Sequence, residues 1–167
     1  MLKGITIKPL KRFHDERGSF TELMRVDWKD LLDGDEIVQA NFSTSYPGIV
    51  RAWHRHLKGQ VDYFSVLKGC LKICAYDDET QELDEIILSD QDLQVVRILG
   101  HYWHGFKVLG NDTAFLLYFT NKLYDYGNPD EERRPWNDST VIPKLINGRR
   151  DDPRVGKPWD WLAVPYR

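Results

Sequence analysis

The sequence predicts an all-β fold, a sandwich or barrel for which an antiparallel jelly roll is the natural candidate. Three observations carry this. Short runs rich in β-branched and aromatic residues recur from Ile5 to about Thr120. Turn-forming clusters separate them. Only one short stretch has helical character. A chain of 167 residues is one domain by length, with the barrel over 5–120 and an extension over 121–167.

The elements follow in order. "ITIKPL" (5–10) opens the set, and "DERG" supplies a turn before "SFTELMRV" (19–26). "DWKDLLDG" (27–34) is the helical stretch, with Asp27 as candidate N-cap and Gly34 as its stop. Strands are then expected at "EIVQANFSTS" (36–45), "IVRAWHRH" (49–56), "DYFSVL" (62–67), "CLKICAYD" (70–77), "EIILS" (85–89), "LQVVRIL" (93–99) and "TAFLLYFT" (113–120), punctuated by "YPG", "KG", "DDETQ", "SDQD" and "GND". Beyond Thr120 the texture turns proline-rich and aromatic without periodicity, too aromatic for a disordered tail. An irregular but ordered C-terminal wrap over the barrel or a neighbouring subunit is expected.

Composition narrows the function. Hydrophobic residues make up 41% and charged residues 29%, as in a soluble globular protein. A formal charge of −3 argues against a nucleic-acid partner, which calls for a basic surface. Six tryptophans and 13% aromatic residues suit a lined cavity or a subunit interface. Cys70 and Cys74 share one strand face but lie too far apart along it to bond, so they read as small buried hydrophobes in a reducing compartment. No charged-then-apolar leader opens the chain and no apolar run approaches membrane-spanning length. The expectation is a cytoplasmic protein with no membrane partner.

Four of the five histidines fall in two pairs, His54/His56 and His101/His104. In a strand, residues two apart share a face, so His54 and His56 point together, with Gln60 and Asp62 continuing the polar alternation. A barrel interior carrying such groups is costly unless they are paired or used.

These residues also carry a resemblance. The Gly-x5-His-x-His run followed by Asp62 and Gly69 resembles the first motif of the cupins, and "LGHYWHGF" (99–106) their second. Within the cupins the chain is similar to the dTDP-4-dehydrorhamnose 3,5-epimerase family. "DERGSFTE" (15–22), "QANFS" (39–43), "RAWH" (51–54), "HGF" (104–106), "LYFTN" (117–121) and "WND" (136–138) match that family's motifs in its own order. The resemblance implies a cupin-type jelly-roll barrel and a cofactor-independent, metal-free epimerase of an NDP-4-keto-6-deoxy sugar, acting at C3, C5 or both. Its substrate would be a nucleotide sugar, dTDP-linked by analogy, in cell-surface polysaccharide biosynthesis, and its assembly a homodimer. Carried over by position, His54 is the general base and Tyr118 the general acid. Arg17, Phe20, Glu22, Gln39, Asn41, Arg51, His56, Asp62 and His104 fall to substrate binding. The types fit: imidazole suits removal of an acidic C–H beside a ketone, a phenol on the other face returns the proton, and arginines grip a diphosphate.

The chain departs from the pattern at four places, one of them "LGHYWH" (99–104) where the family has Pro-x-Gly-Phe-Ala-His. Asp62 stands where the family has an enolate-stabilising lysine, leaving His56, His101, Lys58 and Arg55 as replacements. Ala52-Trp53 replaces Gly-Leu before the base. The late aspartate that orients the base has Asp151 and Asp152 as nearest counterparts. Three classes therefore stay open: an epimerase (or the related 3,4-ketoisomerase), a metal cupin built on His54, His56, His104 and Gln60 or Asp62, and a catalytically degenerate sugar-nucleotide binder. The charged run "PDEERRPWND" reads as solvated surface.

Overall fold

The computed structural model describes residues 1–163. Two sheets face each other. One has five strands in the order β1-β9-β6-β11-β4: β1 (Thr6–Pro9), β9 (Gln94–Leu99), β6 (Val61–Lys68), β11 (Ala114–Thr120) and β4 (Gln39–Ser45). The other has six in the order β12-β5-β10-β7-β8-β13: β12 (Glu132–Arg133), β5 (Val50–Arg55), β10 (Trp103–Leu109), β7 (Cys70–Tyr76), β8 (Glu82–Ser89) and β13 (Leu145–Ile146). All pairings are antiparallel except β13 on β8. β2 (Arg12–Asp15) and β3 (Gly18–Thr21) form a separate hairpin. The expected all-β jelly-roll architecture is what forms.

Alternation explains the layering. Phe64 and Val66 of β6, Leu71, Ile73 and Ala75 of β7, Phe106 and Val108 of β10, and Leu116 of β11 point between the sheets and make the main core. The opposite faces are also covered. Val61 and Tyr63 of β6 pack with Val95 beneath Leu31 and Leu32. Cys74 and Tyr76 of β7 pack under the C-terminal segment, whose Val141, Ile146, Trp159 and Trp161 are buried; the Trp161 ring centre lies 4.9 Å from that of Trp53, the rings tilted by 50°. Both cysteines are free, and burial pushes the Cys74 thiol well up. The described part of the tail thus packs against the barrel. It is fastened by Arg154, which bridges Asp152 and Glu85 at 2.8 Å each, with Lys72 3.6 Å from the same Glu85.

Three expectations need correction. The helix is a single turn, α1 (Lys29–Leu32), capped by Trp28 with no side-chain bond, because Asp27 is held by Arg25 instead. Its C-cap is Asp33 in the left-handed region, φ 51°. The strand expected over 19–26 stops at Thr21, opposite Arg12 where its partner β2 begins; Arg25 then bonds Glu22 and Asp27 in an irregular segment. β10 was not expected as a strand. Its two histidine-flanking aromatics and Gly105 hide the period, yet glycine is what the pairing requires: a Cβ there would sit 2.3 Å from Ala52 Cβ and 2.6 Å from the Arg51 carbonyl.

Candidate functional site

The two sheets leave between them a cavity of about 560 Å³, lined from both sides. The six-stranded sheet contributes Arg51 and His54 from β5, and the five-stranded sheet contributes Gln39 and Asn41 from β4, Asp62 from β6 and Tyr118 from β11. Strict alternation would separate Arg51 from His54. A β-bulge resolves this: His104 of β10 pairs His54, but Phe106, two residues on, pairs Arg51, three residues back. The extra residue turns Arg51 inward, where its Nε donates to Ser45 Oγ at 3.0 Å.

At the floor, four titratable groups meet. His54, His56, Asp62 and His104 bring one ligand atom each within 4.8 Å of one another. The rings of His54 and His104 are 4.2 Å apart. Asp62 is the hub: its Oδ2 lies 3.0 Å from His104 Nε2 and 3.4 Å from His56 Nε2, and its Oδ1 accepts from Gln60 Nε2 at 2.9 Å. Burial alone would raise the Asp62 carboxyl, but hydrogen bonds from His104 and His56 outweigh it and hold it below the ordinary carboxylate range. Burial, with His104 adjacent, holds His54 well below the ordinary imidazole range, so it is neutral at neutral pH. For His56, burial is outweighed by the Asp62 contact and the Asp130 carbonyl, and its affinity for a proton is raised. Burial also raises the Tyr118 phenol, which keeps its proton.

One expectation is corrected. Asp62 is engaged by two of the site's histidines, His104 and His56. The carboxylate that meets the histidines is Asp62, not Asp151 or Asp152: Asp152 is paired with Arg154 under the tail, and the exposed Asp151 with Arg149. Of the four groups named for the missing lysine's role, His56 alone lines the cavity. Lys58 reaches the Asn128 carbonyl, Arg55 pairs with Glu132, and His101 stacks on Tyr102.

The structure brings Gln39, Asn41, Arg51, His54, His56, Asp62 and Tyr118 to one cavity, with His104 buried against its floor. It does not bring Arg17, Phe20 or Glu22 there. They sit on or just after the β2–β3 hairpin, with Phe20 exposed, Arg17 paired to Asp15 and Glu22 to Arg25. Sequence reasoning missed Lys122, Tyr124, Glu131, Arg133 and Arg134, which line the rim. The run read as solvated surface is that rim, because β12 pairs Arg133 with His54 and Glu132 with Arg55. Only pairing with a strand far back along the chain reveals it.

The donor set also fits a metal. Ligand atoms sharing an ion at about 2.0–2.1 Å stand about 3.4 Å apart in a tetrahedron, and three imidazoles with a carboxylate suit a first-row divalent ion. Hydrogen-bond accounting points the same way. His104 Nδ1 faces the Tyr102 carbonyl at 2.9 Å and its Nε2 faces the Asp62 carboxylate, so both ring nitrogens meet acceptors. An imidazolium satisfies that, and so does a cation between ring and carboxylate.

Comparison with known proteins places this geometry in a lineage. The family model for the polysaccharide biosynthesis C-terminal domain matches residues 13–132. The chain is 41% identical over 141 residues to the probable low-salt glycan biosynthesis epimerase Agl13 of Haloferax volcanii, covering 81% of this chain and 89% of that one. It is 35% identical over 146 residues to the spore coat polysaccharide biosynthesis protein SpsL of Bacillus subtilis, covering 84% and 94%. Among solved structures, the dTDP-6-deoxy-D-glucose-3,5-epimerase of Legionella pneumophila, in complex with dTDP-4-keto-L-rhamnose, superposes with a TM-score of 0.73 at 28% identity, covering 84% of this chain and 77% of that one. The chain belongs to the polysaccharide biosynthesis C-terminal domain family, as a divergent member of the dTDP-4-dehydrorhamnose 3,5-epimerase group of cupins.

Proposed function

We propose that this protein is an isomerase that epimerises an NDP-4-keto-6-deoxy sugar beside its ketone, in the synthesis of a glycan or polysaccharide. The observation that carries the reading is the pairing of a neutral, half-buried His54 on one wall of the cavity with a protonated Tyr118 on the facing sheet. His54 removes the proton α to the ketone, and Tyr118 returns one from the other face. His56, the one cavity-lining group among the lysine substitutes, donates to the enolate oxygen through Nε2 when its ring is protonated, a form that Asp62 beside it favours. Arg51, unopposed by a carboxylate among the described residues, and the rim cation Lys122 take the diphosphate. The chain acts as one domain over 1–167, in the cytoplasm where nucleotide sugars are made. It works as a twofold dimer in which the exposed hairpin carrying Arg17, Phe20 and Glu22 reaches the partner's cavity.

The test is deuterium incorporation from D₂O into dTDP-4-keto-L-rhamnose and a UDP-linked 4-keto sugar. His54→Asn is expected to slow incorporation by about 10²–10⁴-fold while nucleotide affinity stays the same. Wild-type exchange in the variant removes His54 as the base.

A second reading is favoured by the two acceptors facing His104. His54, His56, Asp62 and His104 would hold a divalent metal, which would polarise the substrate ketone as a Lewis acid. His54 would then be a ligand, and proton removal would pass to another group. Stoichiometric metal in tag-free protein, with activity lost to a chelator and regained on adding the metal, selects this reading. Full activity in metal-stripped protein rejects it.

A further inference from the structure

We propose that Asp130 is a positioning residue that locks the His56 ring and the cavity rim into one unit. The sequence gives it no role, and it lies in the tail, 74 residues from the histidine it controls. Three contacts converge on it. Its carboxylate accepts from the backbone amide of Leu57 at 2.8 Å through one oxygen and of Lys58 at 2.9 Å through the other. Its own carbonyl accepts from His56 Nδ1. The contacts close a ring: the side chain grips the turn just after His56, and the main chain grips the His56 imidazole.

The geometry has two effects. The first is on the ring. A carbonyl accepts only, so Nδ1 carries the proton, and Nε2 is the nitrogen turned toward Gln60, 3.2 Å away, and Asp62. The ring cannot flip without abandoning Asp130. The second is on the rim. Immediately after Asp130, β12 pairs along β5, Arg133 with His54 and Glu132 with Arg55, and the Arg134 and Trp53 main chains exchange hydrogen bonds at 3.1 Å each way. Arg134 lies 3.8 Å over the Trp103 ring and bonds Asp78, anchoring the far end. Asp130 anchors the near end. Glu131, Arg133 and Arg134, which line the cavity, are therefore placed by the same residue that fixes His56. Rim and floor are set together.

The locking of His56 is independent of the substrate; its part in turnover rests on the function proposed above. Nitrogen-15 spectra of chelator-treated protein test the lock directly. In the wild type the His56 Nδ1–H gives a resolved, slowly exchanging imidazole signal, assigned by its loss in His56→Gln. In Asp130→Ala this signal is expected to disappear into solvent exchange, and the Leu57 and Lys58 amides to exchange at least about tenfold faster, the scale of one lost hydrogen bond. If Asp130→Ala does not fold, Asp130→Asn replaces it: its single acceptor oxygen holds one amide, so protection is lost at the other. A folded variant that keeps the His56 signal and the protection of both amides overturns the proposal. The second arm measures deuterium exchange into dTDP-4-keto-L-rhamnose, where the variant is expected to lower kcat with little change in KM. A wild type that exchanges no deuterium sinks the functional reading and leaves the spectroscopic result standing. A wild type that exchanges, with Asp130→Asn exchanging equally fast, shows that the lock does not serve turnover.

Discussion

Asp62→Asn keeps the shape of the residue at the centre of the histidine cluster and removes its charge. In the wild type one buried oxygen faces both His104 Nε2 and His56 Nε2, while the other accepts from Gln60. Hydrogen bonds to a charged group contribute about 1.5–3 kcal/mol and neutral ones about 1. The asparagine keeps the Gln60 bond as a neutral one and offers an N–H₂ where two donors had met an acceptor. At best it regains one neutral bond to a deprotonated imidazole. The expected loss is about 2–4 kcal/mol, and at about 2–4 °C per kcal/mol for a chain of this size the melting temperature falls by roughly 5–15 °C. The pH dependence has a fixed sign. The folded carboxyl sits below its ordinary range, so its contribution is complete above the unfolded value of about 4 and drains away as pH falls through the folded one. Calorimetry of both chelator-treated proteins should show the gap in full at pH 7 and narrowing below about pH 4. Melting temperatures within about 1 °C at neutral pH, or a gap that widens in acid, would refute Asp62 as the hub.

Tyr118→Phe separates the two halves of the proposed reaction: deuterium exchange at the carbon served by His54 should persist while inversion, followed by NMR of the product, fails. Asp35→Asn breaks a network in which the carboxylate holds Tyr63 at 2.7 Å, Arg97 at 3.0 Å and Asn121 at 2.9 Å. With Arg97 left buried, the cost is about 3–5 kcal/mol. Burial raises the Asp35 carboxyl and these partners lower it further than that, so the difference in denaturation midpoint should shrink below about pH 4. Gly105→Ala drives a methyl into Ala52 and the Arg51 carbonyl, so urea titration should show a loss of about 1–3 kcal/mol or more, together with reduced turnover as β5 is pushed from β10.

Much of the fold was legible because the core strands alternate cleanly: β6 and β7 show their period in "VDYFSVL" and "CLKICAY", where each inward residue is apolar apart from Asp62 at the cavity floor. β10 was not, because the glycine that lets β5 approach also removes the β-former from the middle of the run. The helix cap failed for a local reason, since Arg25 competes for Asp27. Within the site, His54, His56, Gln39, Asn41 and Tyr118 were readable from motif and spacing. The role of Asp62 was not, because a carboxylate's meaning depends on what faces it across the barrel, and sequence distance says nothing of that. The rim was hidden for the same reason: Glu131 and Arg133 look like any charged run until β12 is laid along β5.

The candidate site draws its titratable groups from both halves of the sandwich, with Asp62 and Tyr118 on one sheet and His54 and His104 on the other. What spaces them is the apolar filling, chiefly Phe64, Val66, Ile73, Phe106 and Leu116. The filling therefore acts as a shim as well as an adhesive. A methylene added or removed there alters the gap between the sheets, and the 3.0 Å contact from Asp62 to His104 has far less tolerance than the fold does. Substitutions such as Val66→Ile or Ile73→Val, outside the cavity lining, should detune the chemistry while the protein still melts cooperatively. The freedom of this core to drift is then set by the reaction it brackets more than by the need to stay folded.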